Sequence, residues 1–265
     1  MRDLEAGRRA HLNMVEAFAS LPPHQPRGFL RRSNGVVVAA TASPVALFNE
    51  VLPVADPVSV EALVAAVQGL QATGLPFYAQ LREGLDDGLV RAVTDLGLEE
   101  DASASWPAMV CTDLPRVAEG PGSLHIRTVD GRSGLEEFVR ASAEITGGSP
   151  EITHTWLGHG VADDPRWALL TGYAAGVPVA QAMSFRSGRV VGIYNVVTAA
   201  TARRRGYGWA VTSGAIATGA QAGCTEAVLQ SSAVALPMYE SHGFSTLFRY
   251  RAFRWRASRA PRTAR

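Results

Sequence analysis

One pattern occurs twice in this chain, at an offset of about 146 to 149 residues: an apolar segment, a helix stopped by glycine, a strand, and a short helix stopped by glycine. Leu47-Phe48-Asn49-Glu50-Val51 resembles Ile193-Tyr194-Asn195-Val196-Val197. A helix from Glu61 to Thr73 ends at Gly74 as one from Gly208 to Gln221 ends at Gly223, and Gly97 answers Gly243. Glycine suits such stops because a left-handed residue costs it nothing at a helix C-terminus. A steady offset across several landmarks favours an internal duplication. The alternative is two generic α/β segments whose glycine stops coincide.

The second copy reads clearly. Ser123–Val129 is a strand, Asp130–Ile145 a helix through Leu135, Phe138 and Ile145, and three strands follow at 167–173, 177–185 and 189–198. Ala175-Gly176 and Ser187-Gly188 separate those strands as turns. After the glycine-stopped helix come a strand at 225–230, a short helix at 235–241 and a strand at 245–255. The first copy adds a strand at 76–80 and a helix at 86–96. Two prolines and two glycines mark Asp113–Gly122 as the link between copies. The expected division is a first domain over 1–115, a linker over 116–122 and a second domain over 123–265.

Composition narrows the chemistry. Of 265 residues 47% are hydrophobic and 18% charged, a folded composition. A net charge of +1 gives no general attraction for nucleic acid or an acidic membrane. All 25 basic residues are arginine, so Schiff-base, phosphate-loop and kinase-type lysines are excluded. Such usage suggests a high-GC, bacterial source. Two cysteines without metal-like spacing, an acidic start and no long apolar run lead us to expect a cytoplasmic protein.

The segment that carries chemistry runs from Tyr194 to Ala210. A strand ends near Thr198, and Arg203-Arg204-Arg205-Gly206-Tyr207-Gly208 opens a helix. A helix start offers unpaired N–H groups and partial positive charge, which suit a phosphate, and glycines let a diphosphate approach the main chain. The arginines add forked donors. A solvated basic turn is the competing reading of the loop alone. The dinucleotide fingerprint does not fit, because Val211 holds the place of its third glycine.

With these residues in view, the second half resembles the GNAT superfamily of acyl-CoA-dependent N-acyltransferases. Arg203, Gly206 and Gly208 fill the family's (Arg/Gln)-x-x-Gly-x-(Gly/Ala) loop, and Ala235, Met238-Tyr239-Glu240 and Gly243-Phe244 resemble its A-x-x-L-Y-E-x-x-G-F segment. Ala200 and Ser232 depart from the proline and asparagine of many members. The resemblance implies an α/β (α+β) fold of two tandem GNAT-like domains, each a mixed, mostly antiparallel sheet flanked by helices.

The resemblance further implies acetyl-CoA as cosubstrate, bound where the fourth and fifth strands splay. Its diphosphate would rest on the amides of Arg203, Arg204, Arg205, Gly206, Tyr207, Gly208 and Trp209. Its pantetheine arm would lie along Val196, Val197 and Thr198, with Ser232 at the asparagine position. A primary amine of a small molecule would attack the thioester directly in a ternary complex, and Tyr239 would protonate the departing sulfur as general acid. No metal is expected. His154 and His159 lack a third and fourth zinc ligand at usable spacing, and they read, with Glu144 and Glu151, as surface or structural residues bordering the acceptor pocket.

No general base is legible, since the fourth strand carries Tyr194 and Asn195 where the family often has glutamate. In the first copy Ala55-Asp56-Pro57-Val58-Ser59-Val60 replaces the loop, without glycine and with an acid that repels phosphate. The first domain is therefore expected to be degenerate, either shaping the acceptor pocket or simply stabilising its partner. Phe48, Phe77, Tyr78 and Trp106 read as core at least as readily as pocket. The Arg-rich stretch 249–265 reads as a solvated edge and tail. The chain is expected to be a monomer or homodimer. Two other functions remain open: a catalytically silent acyl-CoA-binding or scaffold protein, and an acyltransferase using a longer acyl-CoA or a peptide acceptor.

Overall fold

The computed structural model describes residues 2–112, 114 and 124–256; the expected linker 116–122 and the tail 257–265 lie outside them. The first half comprises α1 (Arg2–Ser20), β1 (Phe29–Ser33), β2 (Val36–Ala40), β3 (Asn49–Pro53), α2 (Val60–Gln71), β4 (Phe77–Arg82), α3 (Val90–Asp95), β5 (Glu99–Glu100) and β6 (Pro107–Cys111). The second comprises β7 (Leu124–Thr128), α4 (Gly131–Thr146), α5 (Pro150–His154), β8 (Trp167–Ala174), β9 (Val177–Ser187), β10 (Val190–Thr198), α6 (Tyr207–Gln221), β11 (Glu226–Gln230), α7 (Leu236–Ser241) and β12 (Ser245–Trp255). No helix is long and apolar enough to cross a membrane among the described residues.

All strands join one twelve-stranded sheet, ordered β1-β2-β3-β4-β12-β6-β11-β10-β9-β8-β7, with β5 beside β12. Only β3–β4 and β10–β11 pair in parallel among the described strands. Each parallel pair needs a crossover, supplied by α2 and α6 respectively. The two halves thus repeat one β–α–β unit, and the fold is mixed α/β with a mostly antiparallel sheet.

The final strands are exchanged between halves. β6, last in the first half, pairs with β11, while β12, last in the chain, pairs with β4. β6 and β12 then pair with each other and close the sheet across the middle. Two apolar clusters lie where this arrangement puts them. Leu63, Val67 and Leu70 of α2 pack with Phe77, Leu81 and Phe253, and Val211, Ala215 and Ile216 of α6 with Leu170, Ile193 and Leu229.

α1 was not read from the sequence, although it ties the halves together. Its buried positions Ala6, Ala10, Met14 and Ala17 recur at helical spacing. Arg9 donates from Nε and Nη2 to the Glu226 carboxylate at 2.8 and 2.7 Å. The Asn13 amide donates to Ser187 Oγ at 2.7 Å, and its oxygen accepts from the Tyr194 hydroxyl at 2.6 Å. This approach requires Gly192, because a Cβ there would stand 1.9 Å from Asn13 Oδ1. His11 closes the other side. Its Nε2 must donate to the Pro53 carbonyl at 2.7 Å, so Nδ1 accepts from the Tyr250 hydroxyl at 2.9 Å. Desolvation lowers its pKa to about 4, and Arg82 adds to that shift.

The β1–β2 hairpin was also missed. Asn34 and Gly35 both have positive φ, 47° and 77°, which is the twist a two-residue hairpin turn needs.

Candidate active site

The site grows from a break in strand pairing. β10 and β11 are in register from Val190↔Glu226 to Ile193↔Leu229, and the pairing stops there. Beyond it β10 bulges between Tyr194 and Val197 against β9, with Asn195 at φ 49°. A bulge bends its strand and swings it off its neighbour. Val197 and Thr198 still pair with Gln181 and Ala180 of β9, while the edge toward β11 carries no ladder. A slot with one exposed main-chain edge results.

The slot leads to the start of α6. Gly206, the residue before the helix, sits at φ 80°, and Arg204 at φ 61° also turns left-handed. The first amide of α6 to make a helical bond is that of Ala210, to the carbonyl of the capping Gly206 at 3.0 Å. The N–H groups of Tyr207, Gly208 and Trp209 precede it, as a helix start demands. Arg203, Arg204 and Arg205 are exposed, and Arg203 Nε reaches back to Thr198 O at 3.4 Å. Tyr207 and Trp209 are buried in the core beneath α6, so they can offer main chain rather than side chain. Trp209 stacks on His242 of the α7 end at 3.7 Å between centroids.

A cavity of about 330 Å³ opens beside the slot. Of the sequence-predicted residues it is lined by Val196, Val197, Ser232 and Tyr239, while the arginine-glycine loop and Thr198 lie outside it. Tyr239, on α7, is 4% exposed. Burial pushes its pKa up to about 12, against a hydrogen bond with Thr212, so the phenol keeps its proton at neutral pH. Glu144 and Glu151 are exposed and do not line the cavity.

The opposite wall comes from the first half and from α1. Leu47, Phe48, Gln80 and Trp106 line the cavity with Met14 and Phe18. Phe48 stacks almost parallel on Trp156, 4.1 Å between centroids, and joins the halves at the rim. Phe77 and Tyr78 are buried away from the cavity. Behind Gln80 lies Glu50, fully buried on β3. Its Oε1 accepts from Gln80 Nε2 at 3.4 Å and its Oε2 has no partner among the described residues, so burial holds the carboxyl well above its ordinary pKa of 4.5.

In the first half, the place of the arginine-glycine loop is occupied by an ion pair. Asp56 meets Arg82 at 2.6 Å, and Arg82 also binds Asp86 at 2.8 Å. Elsewhere on the surface, His154 Nε2 and His159 Nδ1 each stand 3.3 Å from the Glu136 carboxylate. Glu136 is the third ligand-type group that spacing along the chain did not supply.

Residues 135–244 match the model of the Acetyltransferase (GNAT) family. No protein of curated function matches the sequence. Among solved structures, a GCN5-related N-acetyltransferase from Kribbella flavida superposes with a TM-score of 0.69 at 15% identity, over 93% of this chain and 94% of that one. A tandem GNAT protein from the clavulanic acid biosynthesis pathway gives 0.59 at 12%, over 89% and 85%. A GCN5-related N-acetyltransferase from Sphaerobacter thermophilus gives 0.57 at 15%, over 85% and 82%. At these identities the structures speak for the fold, and the family match covers the splayed strands, the arginine-glycine loop and Tyr239. Residues 135–244 thus match the GNAT family, in the second half of a two-copy sheet whose fold is that of these acetyltransferase structures.

Proposed function

We propose that the protein transfers an acetyl group from acetyl-CoA to a primary amine of a small molecule, by direct attack in a ternary complex. The observation that carries this reading is the end of β10–β11 pairing at Ile193, which leaves a free main-chain edge running to the open start of α6. The pantetheine arm adds to that edge at Val196–Thr198 much as a further strand would. The diphosphate sits on the amides of residues 203–209, with the exposed arginines Arg203, Arg204 and Arg205 beside it. Ser232 borders the arm at the cavity mouth.

The amine reaches the thioester through the cavity and attacks as the neutral base. The carbonyl carbon gains the C–N bond, and the tetrahedral intermediate collapses with loss of the C–S bond. Tyr239 gives its proton to the departing sulfur. Its buried, protonated phenol supports that role. No carboxylate lines the cavity among the described residues, so the amine's proton leaves through solvent rather than to a fixed side-chain base.

We read residues 1–115 as the degenerate domain and 123–265 as the cofactor-binding one, with β6 and β12 crossing between them. The test measures thiol release from acetyl-CoA with a panel of amines, alongside calorimetric binding of CoA. Amine-dependent thiol release with an N-acetylated product in the mass spectrum is the expected result. CoA binding with no release for any amine would instead identify an acyl-CoA-binding protein without transferase activity.

A further inference from the structure

The polar atoms of four aromatic side chains that line the cavity, Trp106, Trp167, Tyr194 and Tyr250, are already occupied. The Trp106 indole N–H donates to Ser103 O at 2.8 Å, and that of Trp167 to Ser20 Oγ at 2.9 Å. The Tyr194 hydroxyl donates to Asn13 Oδ1, and the Tyr250 hydroxyl to His11. What these four side chains present to the space is therefore ring surface. Phe18 and Phe48 extend it.

Charge is missing from the same wall. No Asp, Glu or Arg lines the cavity among the described residues. A buried acid, Glu50, stands behind Gln80 with no cation to pair it among the described residues. A ligand bearing several ammonium groups would lose its hydration here and gain no counter-charge, which is prohibitive. A ligand with one amine can hold that amine beside the exposed Ser232 and bury an apolar body among the rings. Gln230 lines the cavity at the end of β11, and its Nε2 is buried without a hydrogen-bond partner among the described residues.

Resting on the transferase reading, we infer that the acceptor is a monoamine with a hydrophobic, ring-bearing body, and that the first half of the chain selects it. Leu47, Phe48 and Trp106 form the selecting wall. Polyamines and aminoglycosides are excluded by the uncharged lining.

The test is calorimetry of phenethylamine and of spermidine on the full chain, with CoA titrated separately. Phenethylamine is expected to bind at least about tenfold tighter than spermidine. Trp106→Asp is expected to weaken phenethylamine by about tenfold or more and to narrow or invert the preference, with CoA affinity held within about twofold. Trp106→Ala, checked by thermal melting, guards against misfolding and should weaken phenethylamine without admitting spermidine. Spermidine binding as tightly as phenethylamine, no binding of either amine, or indifference to both substitutions would overturn the inference. Amine binding in this order with no CoA binding would leave the cavity's selectivity standing and sink the transferase reading instead.

Discussion

Gly208 offers the sharpest perturbation of the proposed diphosphate seat. A Cβ built there meets Thr198 Oγ1 at 3.2 Å and Met238 Sδ at 3.9 Å. A methyl group therefore fits with a small shift of the Thr198 hydroxyl, and any larger side chain must enter the gap between the end of β10 and α7. That gap is where the free N–H groups of the helix start are reached. Gly208→Ala should fold as well as the wild type, since alanine gains up to about 1 kcal/mol over glycine within a helix. It should keep CoA affinity within a few-fold.

Gly208→Trp should melt near the wild-type temperature but lose two or three hydrogen bonds from main chain to anion. At about 1.5 kcal/mol each, the lower end for bonds to charged groups, that is roughly 3 to 4.5 kcal/mol, or about 10² to 10³ in Kd. Isothermal calorimetry of CoA against the three proteins, with melting curves, measures both quantities. A folded Gly208→Trp protein that binds CoA within a few-fold of the wild type would show that the diphosphate does not use this helix start.

Three further outcomes are expected. Tyr239→Phe should lower kcat by about 10² to 10⁴ with little change in CoA affinity, and a loss of only a few-fold in single-turnover assays would pass the proton's route to water. His11, buried and neutral, has its pKa lowered by desolvation from the ordinary 6.5 to about 4. The unfolded chain therefore takes up the proton first as pH falls, and stability is lost between about pH 6.5 and 4. Urea denaturation should show this loss shrinking by about 2 to 3 kcal/mol in His11→Gln. Glu50, held above its ordinary pKa of 4.5, acts with the opposite sign. Its burial costs stability as pH rises past that value, so Glu50→Gln should raise the melting temperature near neutral pH, with the gain fading toward pH 4.

The second half was legible because its signals are local. The turns at Ala175-Gly176 and Ser187-Gly188, the glycine-stopped α6 and the loop from Arg203 to Gly208 each declare themselves within a few residues, and the observed strands and helices follow them closely. In the first half α2 and β4 were likewise legible, and β3 only through the likeness of Leu47–Val51 to Ile193–Val197; its parallel pairing with β4 and the β1–β2 hairpin were not, although Asn34-Gly35 is a hairpin signal in its own right. The exchange of β6 and β12 could not be read, because strand partners are chosen by long-range packing and not by the strand's own residues.

The site divided in the same way. The arginine-glycine loop and Tyr239 were legible from motif residues, whereas the cavity proposed for the acceptor is assembled from α1, Phe48, Gln80, Trp106 and Gln230, distant in sequence and unremarkable one by one. Phe48 looked as much like core as pocket, and only its stack on Trp156 shows that it does both. A helix such as α1 is hard to see because its buried face is mostly alanine, which carries little hydrophobic contrast.

The central claim is that the cofactor is held by main chain of the second copy. Amide hydrogen exchange with and without CoA measures that directly. Slower exchange at residues 194–198 and 206–209, with 55–60 unchanged, is the predicted result; protection at 55–60, or none at 206–209 under saturating CoA, would contradict it.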